Sequence, residues 1–325
     1  VCEFGTGTRM EDYESTGNLP INNFRGGHFP DVSRIAPQLM FEKKYVVHMD
    51  GCFGCPIRCK RRVGIDKPWK VPPIYGGPEY ETLAAFGSNC GVNNLEAIIK
   101  ANETCNRYGI DTISAGVAVS FAMECYETGL IDETSADGLD LRFGQAEAMV
   151  ALVEKIGKRE GLGDLLAEGT LRAAKTIGQG AEKLAMQVKG MEIPMHEPRY
   201  KHGMALHYSV HATGADHNTG VHDDVVYNNP APWDKIDISD RIPSTEMSPR
   251  KARMVYQVGL WRQILNHLGI CLFVPWTYEQ IQTAVEAVTG LPASYWRLMK
   301  VAERGMTLAR IFNLREGLCD TNDRL

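Results

Sequence analysis

Three cysteines fall within eight residues of the segment GCFGCPIRCKRR, at Cys52, Cys55 and Cys59. The spacing C-x2-C-x3-C lets one loop and the first turn of a helix aim three thiolates at one small object. A structural zinc site takes four ligands, commonly as two separated pairs, whereas a [4Fe–4S] cluster accepts three neighbouring cysteines and a remote fourth. Three plus one fits the cluster best, with structural zinc and a chance grouping of buried thiols as the alternatives. Lys60, Arg61 and Arg62 follow at once and would offset the negative charge of four thiolates.

The remote ligand must come from Cys2, Cys90, Cys105, Cys125, Cys271 or Cys319. Cys105 and Cys125 sit on helix faces, where a core role is expected. Cys271 ends the hexamer NHLGIC, just past a helix and after a glycine that turns the backbone, so its side chain can project into a site without distorting the helix. The hexamer has an echo in NRYGID, Asn106 to Asp111, with Asp111 in the place of Cys271. Each copy offers an amide side chain, a left-handed turn and a final polar residue. Helix punctuation alone explains either copy; the pair suggests two similar ligands or one pseudo-symmetric ligand.

Candidate acid–base groups lie in two further segments. GGPEYET sets Glu79 and Glu81 in a turn before an apolar stretch, where a carboxyl can be desolvated, although a glutamate at a helix N-terminus is also favoured by the helix dipole, Glu79 more so than Glu81. HYSVHATGADHNTGVHD carries His207, His211, His217 and His222, whose spacings match no common zinc or iron signature. His196 and His202 read as structural.

The elements that must position these residues are mostly helices. Signals mark them from the Asn93 cap to the Gly109 stop and at about 112–128, 145–159, 164–177, 248–268, 277–289 and 294–315. Asn93 with Glu96 and Thr277 with Gln280 form capping-box patterns, and Ser248-Pro249 is a cap and first-turn pair. Strand signals are short, at Lys44 to His48 and Ala185 to Val188. Segments 1–40, 60–80 and 196–245 read as irregular, the last too long for a mere linker. With 325 residues the chain has material for one large or two medium domains. A net charge of −5 without a long basic block argues against nucleic acid or anionic lipid as the main partner. There is no eighteen-residue uncharged apolar run, and the opening residues lack a signal-peptide pattern. Nine unevenly spread cysteines fit a reducing compartment, hence a cytoplasmic location.

Taken together, GCFGCPIRCKR, GGPEYETLAAFGSNCGVNNLEAI, CNRYGIDTISAG, VKGMEIPMHEPR, GADH, NHLGIC and FNLREG resemble the tungsten- or molybdenum-containing aldehyde:ferredoxin oxidoreductases, over essentially the whole chain. The resemblance implies two mainly α domains, 1–195 and 196–325, corresponding to domains 2 and 3 of that family. The family's N-terminal β-rich domain has no counterpart here, which implies a fragment or a partner domain on another chain. It also implies that Cys52, Cys55, Cys59 and Cys271 hold a [4Fe–4S] cluster. One pterin of a tungsten or molybdenum bis-pyranopterin would meet Asn106, Gly109, Ile110 and Asp111, and the other Asn266, Gly269 and Ile270. The family's usual aspartate at the first repeat position is asparagine in both copies. Glu81 resembles the carboxylate beside the metal and His217 the substrate-side histidine, although Thr213 replaces the family's arginine nearby. No Glu-x-x-His pair for a subunit-bridging metal is present; a homodimer remains compatible. The implied activity is oxidation of an aldehyde to a carboxylic acid (EC 1.2.7 class), with electrons passed to ferredoxin or another redox subunit. The alternatives are an aromatic acyl-CoA reductase subunit of the benzoyl-CoA type and a non-catalytic electron-transfer subunit.

Overall fold

Thirteen α-helices and four short strands form the regular structure of the described residues, which in this computed structural model are 2–229 and 231–325. The strands make two separate antiparallel pairs, Val46–Asp50 with Lys60–Val63 and Gln187–Val188 with Met191–Glu192. The architecture is therefore mainly α. The chain divides into two units, Val1–Glu197 and Pro198–Leu325.

In the first unit the helix Thr112–Glu127 is central, with every residue from Ala115 to Cys125 buried. A helix this apolar must be covered on all sides. Its small residues allow that: Gly116 packs so closely on Ala85 of helix Tyr80–Phe86 that a Cβ there would stand 2.5 Å from the Ala85 methyl. The polar groups on the central helix are paired within the core. Ser120 accepts from Asn89 at 2.9 Å and donates to Asn23 at 3.1 Å, while Glu124 accepts from Asn23 and Arg25. These bonds order the N-terminal segment, which sequence pattern alone leaves irregular because its partners are remote.

Two local expectations are corrected. Asn94, not Asn93, caps the helix Leu95–Tyr108, accepting from the Ala97 N–H. Asn93 instead donates to Asp31, and Glu96 is engaged by Lys43 and Tyr45, so tertiary partners displace the capping box. The helix expected over 164–177 is two, Leu162–Leu166 and Thr170–Ile177, interrupted at Gly169.

The second unit is built on the helix Pro249–His267, which buries Met254, Val258, Trp261 and Ile264 and packs against Tyr295–Arg315 and His202–Val210. Ser248 caps it, and both halves of the Thr277/Gln280 capping box are present. The segment read as irregular holds two helices, His202–Val210 and Asp223–Asn228. Buried ions tie it down. Lys251 Nζ lies 2.5 Å from Asp223, whose carboxylate also accepts from the Gly203 and Met204 N–H groups, and Lys201 Nζ lies 2.8 Å from Asp224.

Candidate cofactor site and acid–base pair

Cys52, Cys55 and Cys59 lie on the connection between the strands Val46–Asp50 and Lys60–Val63. The Cys55 N–H donates to the Cys52 carbonyl at 3.0 Å, and Gly54 and Arg58 bend the loop with φ of 66° and 48°. A β-hairpin, not the first turn of a helix, presents the thiols. Cys52 is exposed and the other two are half-buried. By contrast Cys90, Cys105 and Cys125 are buried; burial pushes Cys105 and Cys125 up to about 12 and raises Cys90 as well. Thiols held protonated in this way are inert as ligands. The basic run is also divided: Arg62 pairs with Asp50 at 2.7 Å, Lys60 is exposed, and Arg61 is fully buried.

The two hexamers adopt the same turn. After Leu95–Tyr108, Gly109 takes φ 71° and the Ile110 N–H returns to the Cys105 carbonyl at 2.9 Å. After Pro249–His267, Gly269 takes φ 66° and the Ile270 N–H returns to the Leu265 carbonyl at 2.9 Å. A side chain at either glycine would be strained in this left-handed conformation. Asn106 and Asn266 are both exposed, as are Asp111 and Cys271. Asp111 also caps the next helix by accepting from the Ser114 N–H at 2.8 Å.

A cavity of about 580 Å³ in the first unit brings several of these groups together: Glu79, Glu81, Asn106, Asp111 and the run Lys60 to Arg62 line it. Glu79 is the N-cap residue of helix Tyr80–Phe86 and accepts from Thr6 Oγ1 at 2.5 Å. Glu81 is positioned differently. Its Oε2 accepts from the Met195 N–H at 2.7 Å, and its Oε1 lies 3.2 Å from His196 Nε2. The rings of Tyr13 and Tyr80 stand 6.0 and 5.3 Å from the imidazole and keep it buried. His196, read as structural from sequence, is thus the partner of the candidate carboxylate; its place within PMHEPR gave only a family-level signal.

In the second unit, His217 is half-buried, 6.3 Å from the His222 ring in an edge-on contact. Lys201 Nζ stands 3.4 Å from His222 Nδ1. His207 and His211 stack at 4.6 Å, and Thr219 Oγ1 lies 3.3 Å from a nitrogen of each while donating to Asp216 at 2.7 Å. Burial and the neighbouring His211 lower His207 to about 3, which keeps it neutral. This network borders a second cavity, about 830 Å³, with Gln263 and Asn266 also in its wall. Spacing alone did not reveal it, because Thr219 and Gln263 supply the connections.

The profile of aldehyde ferredoxin oxidoreductase, domains 2 & 3, matches residues 1–325. The chain belongs to this family. The tungsten-containing aldehyde ferredoxin oxidoreductases of Pyrococcus furiosus and Thermococcus kodakarensis are each 32% identical to it, over 99% of this chain and 51% of their own length. A WOR-like subunit of an aliphatic sulfonate oxidoreductase from Pyrococcus furiosus is 33% identical over 67% of this chain and 36% of that protein. The chain spans about half the length of the curated relatives it matches. Among solved structures, the active-site complex BamBC of benzoyl coenzyme A reductase with 1,5-dienoyl-CoA has the same fold, with TM-score 0.72 at 20% identity over 99% of this chain and 53% of that one. No helix is long and apolar enough to cross a membrane among the described residues.

The residues present fit the cofactors of an aldehyde ferredoxin oxidoreductase. The first cavity is within the usual size of a cofactor site, and its wall offers the amide of Asn106 and carboxylates beside cationic side chains, a donor and acceptor set suited to a polar heterocycle with anionic substituents. The hairpin carries three thiols on one loop, none of them fully buried, which is the local part of a cluster's cysteine set.

Proposed function

We propose that this chain supplies the cluster ligands and pterin-contacting residues of an oxidoreductase that converts aldehydes to carboxylic acids, with ferredoxin or another redox subunit as electron acceptor. Cys52, Cys55, Cys59 and Cys271 would hold the [4Fe–4S] cluster. Asn106, Gly109, Ile110 and Asp111, and in the second repeat Asn266, Gly269 and Ile270, would meet the pterins. The observation that carries the reading is Glu81, backed by the buried His196, lining the same cavity as Asn106 and Asp111.

A tungsten- or molybdenum-pterin group held by these repeats, with the cluster, would supply the two-electron redox chemistry of RCHO + H2O → RCOOH + 2 e⁻ + 2 H⁺. The chain's own residues manage the protons. Glu81 accepts a proton from water, while its Oε2 stays fixed by the Met195 N–H and its Oε1 lies against His196. His196 keeps the carboxylate oriented and stabilises its charge. His217 would donate to the carbonyl oxygen of the substrate. The metal-replete holoenzyme carrying this chain, assayed for aldehyde-dependent viologen reduction, tests this: Glu81→Gln should abolish most turnover with metal content unchanged. Turnover retained in that variant, with metal bound, discards the role.

A further inference from the structure

We propose that Arg61 is a positioning residue of the redox path: its buried guanidinium fixes a positive charge beside the cysteine loop and raises the reduction potential of the cluster held there. This rests on the reading of Cys52, Cys55 and Cys59 as cluster ligands.

Arg61 is 1% exposed and heads the fully buried large side chains. It follows Cys59 by two residues on the strand Lys60–Val63. Its Nη1 donates to the Phe4 carbonyl at 2.5 Å and its Nη2 donates to the Pro78 carbonyl. Both acceptors are neutral. The nearest carboxylate with which it pairs, Glu79, lies 3.6 Å away, is 38% exposed, and is already bonded to Thr6. Two of its nitrogens are thus bonded to neutral carbonyls and its Nε is buried without a hydrogen-bond partner, so its charge is only partly cancelled.

The backbone is shaped around it. Gly5 has φ 74°, and a Cβ there would lie 1.4 Å from Arg61 Nη1 and 3.1 Å from the Cys59 carbonyl. The guanidinium and the backbone of a cluster ligand thus converge on one point that only glycine leaves open. Burying a guanidinium carries a desolvation cost, and an apolar side chain would hold a strand edge without it. The same side chain lines the cavity shared by Glu81 and Asn106. Cluster potentials follow net charge, hydrogen bonding and exposure, and a desolvated cation favours the more negative, reduced cluster. Exposed Lys60, and Arg62 with its Asp50 partner, are screened and do so weakly.

The test is an EPR-monitored redox titration of the holoenzyme carrying this chain with its native flanking sequence. Arg61→Gln should shift the cluster midpoint to more negative potential with iron content unchanged, Arg61→Lys should restore most of the shift, and Lys60→Gln should leave the midpoint in place. Gly5→Ala keeps the charge but displaces it, and should shift the midpoint in the same direction; it carries the test where Arg61→Gln does not fold. An unmoved midpoint with an intact cluster in the informative variant, or an equal shift in Lys60→Gln, overturns the proposal alone. A parent holoenzyme without iron overturns the proposal and the cluster reading together.

Discussion

Tyr80 and Glu81, adjacent in sequence, grip the Met195 peptide from both ends: the Tyr80 hydroxyl donates to the Met195 carbonyl at 2.5 Å, and Glu81 Oε2 accepts from the Met195 N–H at 2.7 Å. This clamp places His196 against the other Glu81 oxygen, with side chains 5% and 14% exposed. One carboxylate oxygen is thereby committed to the fold and the other faces the imidazole.

Removing the partner should separate orientation from chemistry. His196→Asn retains a side-chain donor and is expected to lower kcat about 10-fold, with KM little changed, whereas Glu81→Gln should cost about 10²- to 10⁴-fold, the usual range for a general base. Steady-state kinetics on metal-replete enzyme checks both. Equal effects would assign His196 a share of the chemistry itself.

The helical class, the close grouping of the three cysteines and the paired turns at Gly109 and Gly269 were legible in the sequence because each is a local pattern. The Thr277/Gln280 box was legible for the same reason. The Asn93/Glu96 box misled because Lys43 and Tyr45, remote in sequence, engage Glu96. The cysteines were expected to run into a helix, but the following Lys60–Val63 pairs with Val46–Asp50, and strand pairing is a non-local choice. His196 stayed hidden because its role depends on Glu81, which no spacing connects to it.

Acid should weaken the second unit through His207. Burial depresses its folded-state value to about 3, while the unfolded imidazole titrates near 6.5. The unfolded chain therefore takes up the proton first as pH falls. The contribution is complete above about pH 6.5 and is lost by about 1.4 kcal/mol per unit on the way down towards 3. Denaturant melts from pH 7 to 4 should show this slope, and His207→Gln should flatten it.

Lys251→Met should strongly destabilise the second unit. It leaves the buried Asp223 carboxylate facing only the Gly203 and Met204 N–H groups, and breaking a buried pair from one side costs about 3–5 kcal/mol. Thermal unfolding would show a clear fall in Tm. A change below about 1 kcal/mol would mean that water reaches the pair.

The left-handed turns offer a matched comparison. Gly109→Ala and Gly269→Ala each force a Cβ into positive φ, at a cost of about 1–2 kcal/mol. Neither added methyl meets an atom within 4 Å, so the loss should be strain alone. Similar melting shifts in the two variants would reflect the shared turn; a much larger shift in one would reveal a contact peculiar to that copy.

Metal analysis with EPR on anaerobically purified, dithionite-reduced protein bears most directly on the cofactor reading. The expected result is about four irons per chain, a reduced-cluster signal lost in Cys271→Ala and retained in Cys105→Ala, and tungsten or molybdenum when the chain carries its native flanking sequence. Zinc in place of iron, or a signal indifferent to Cys271, would contradict the account.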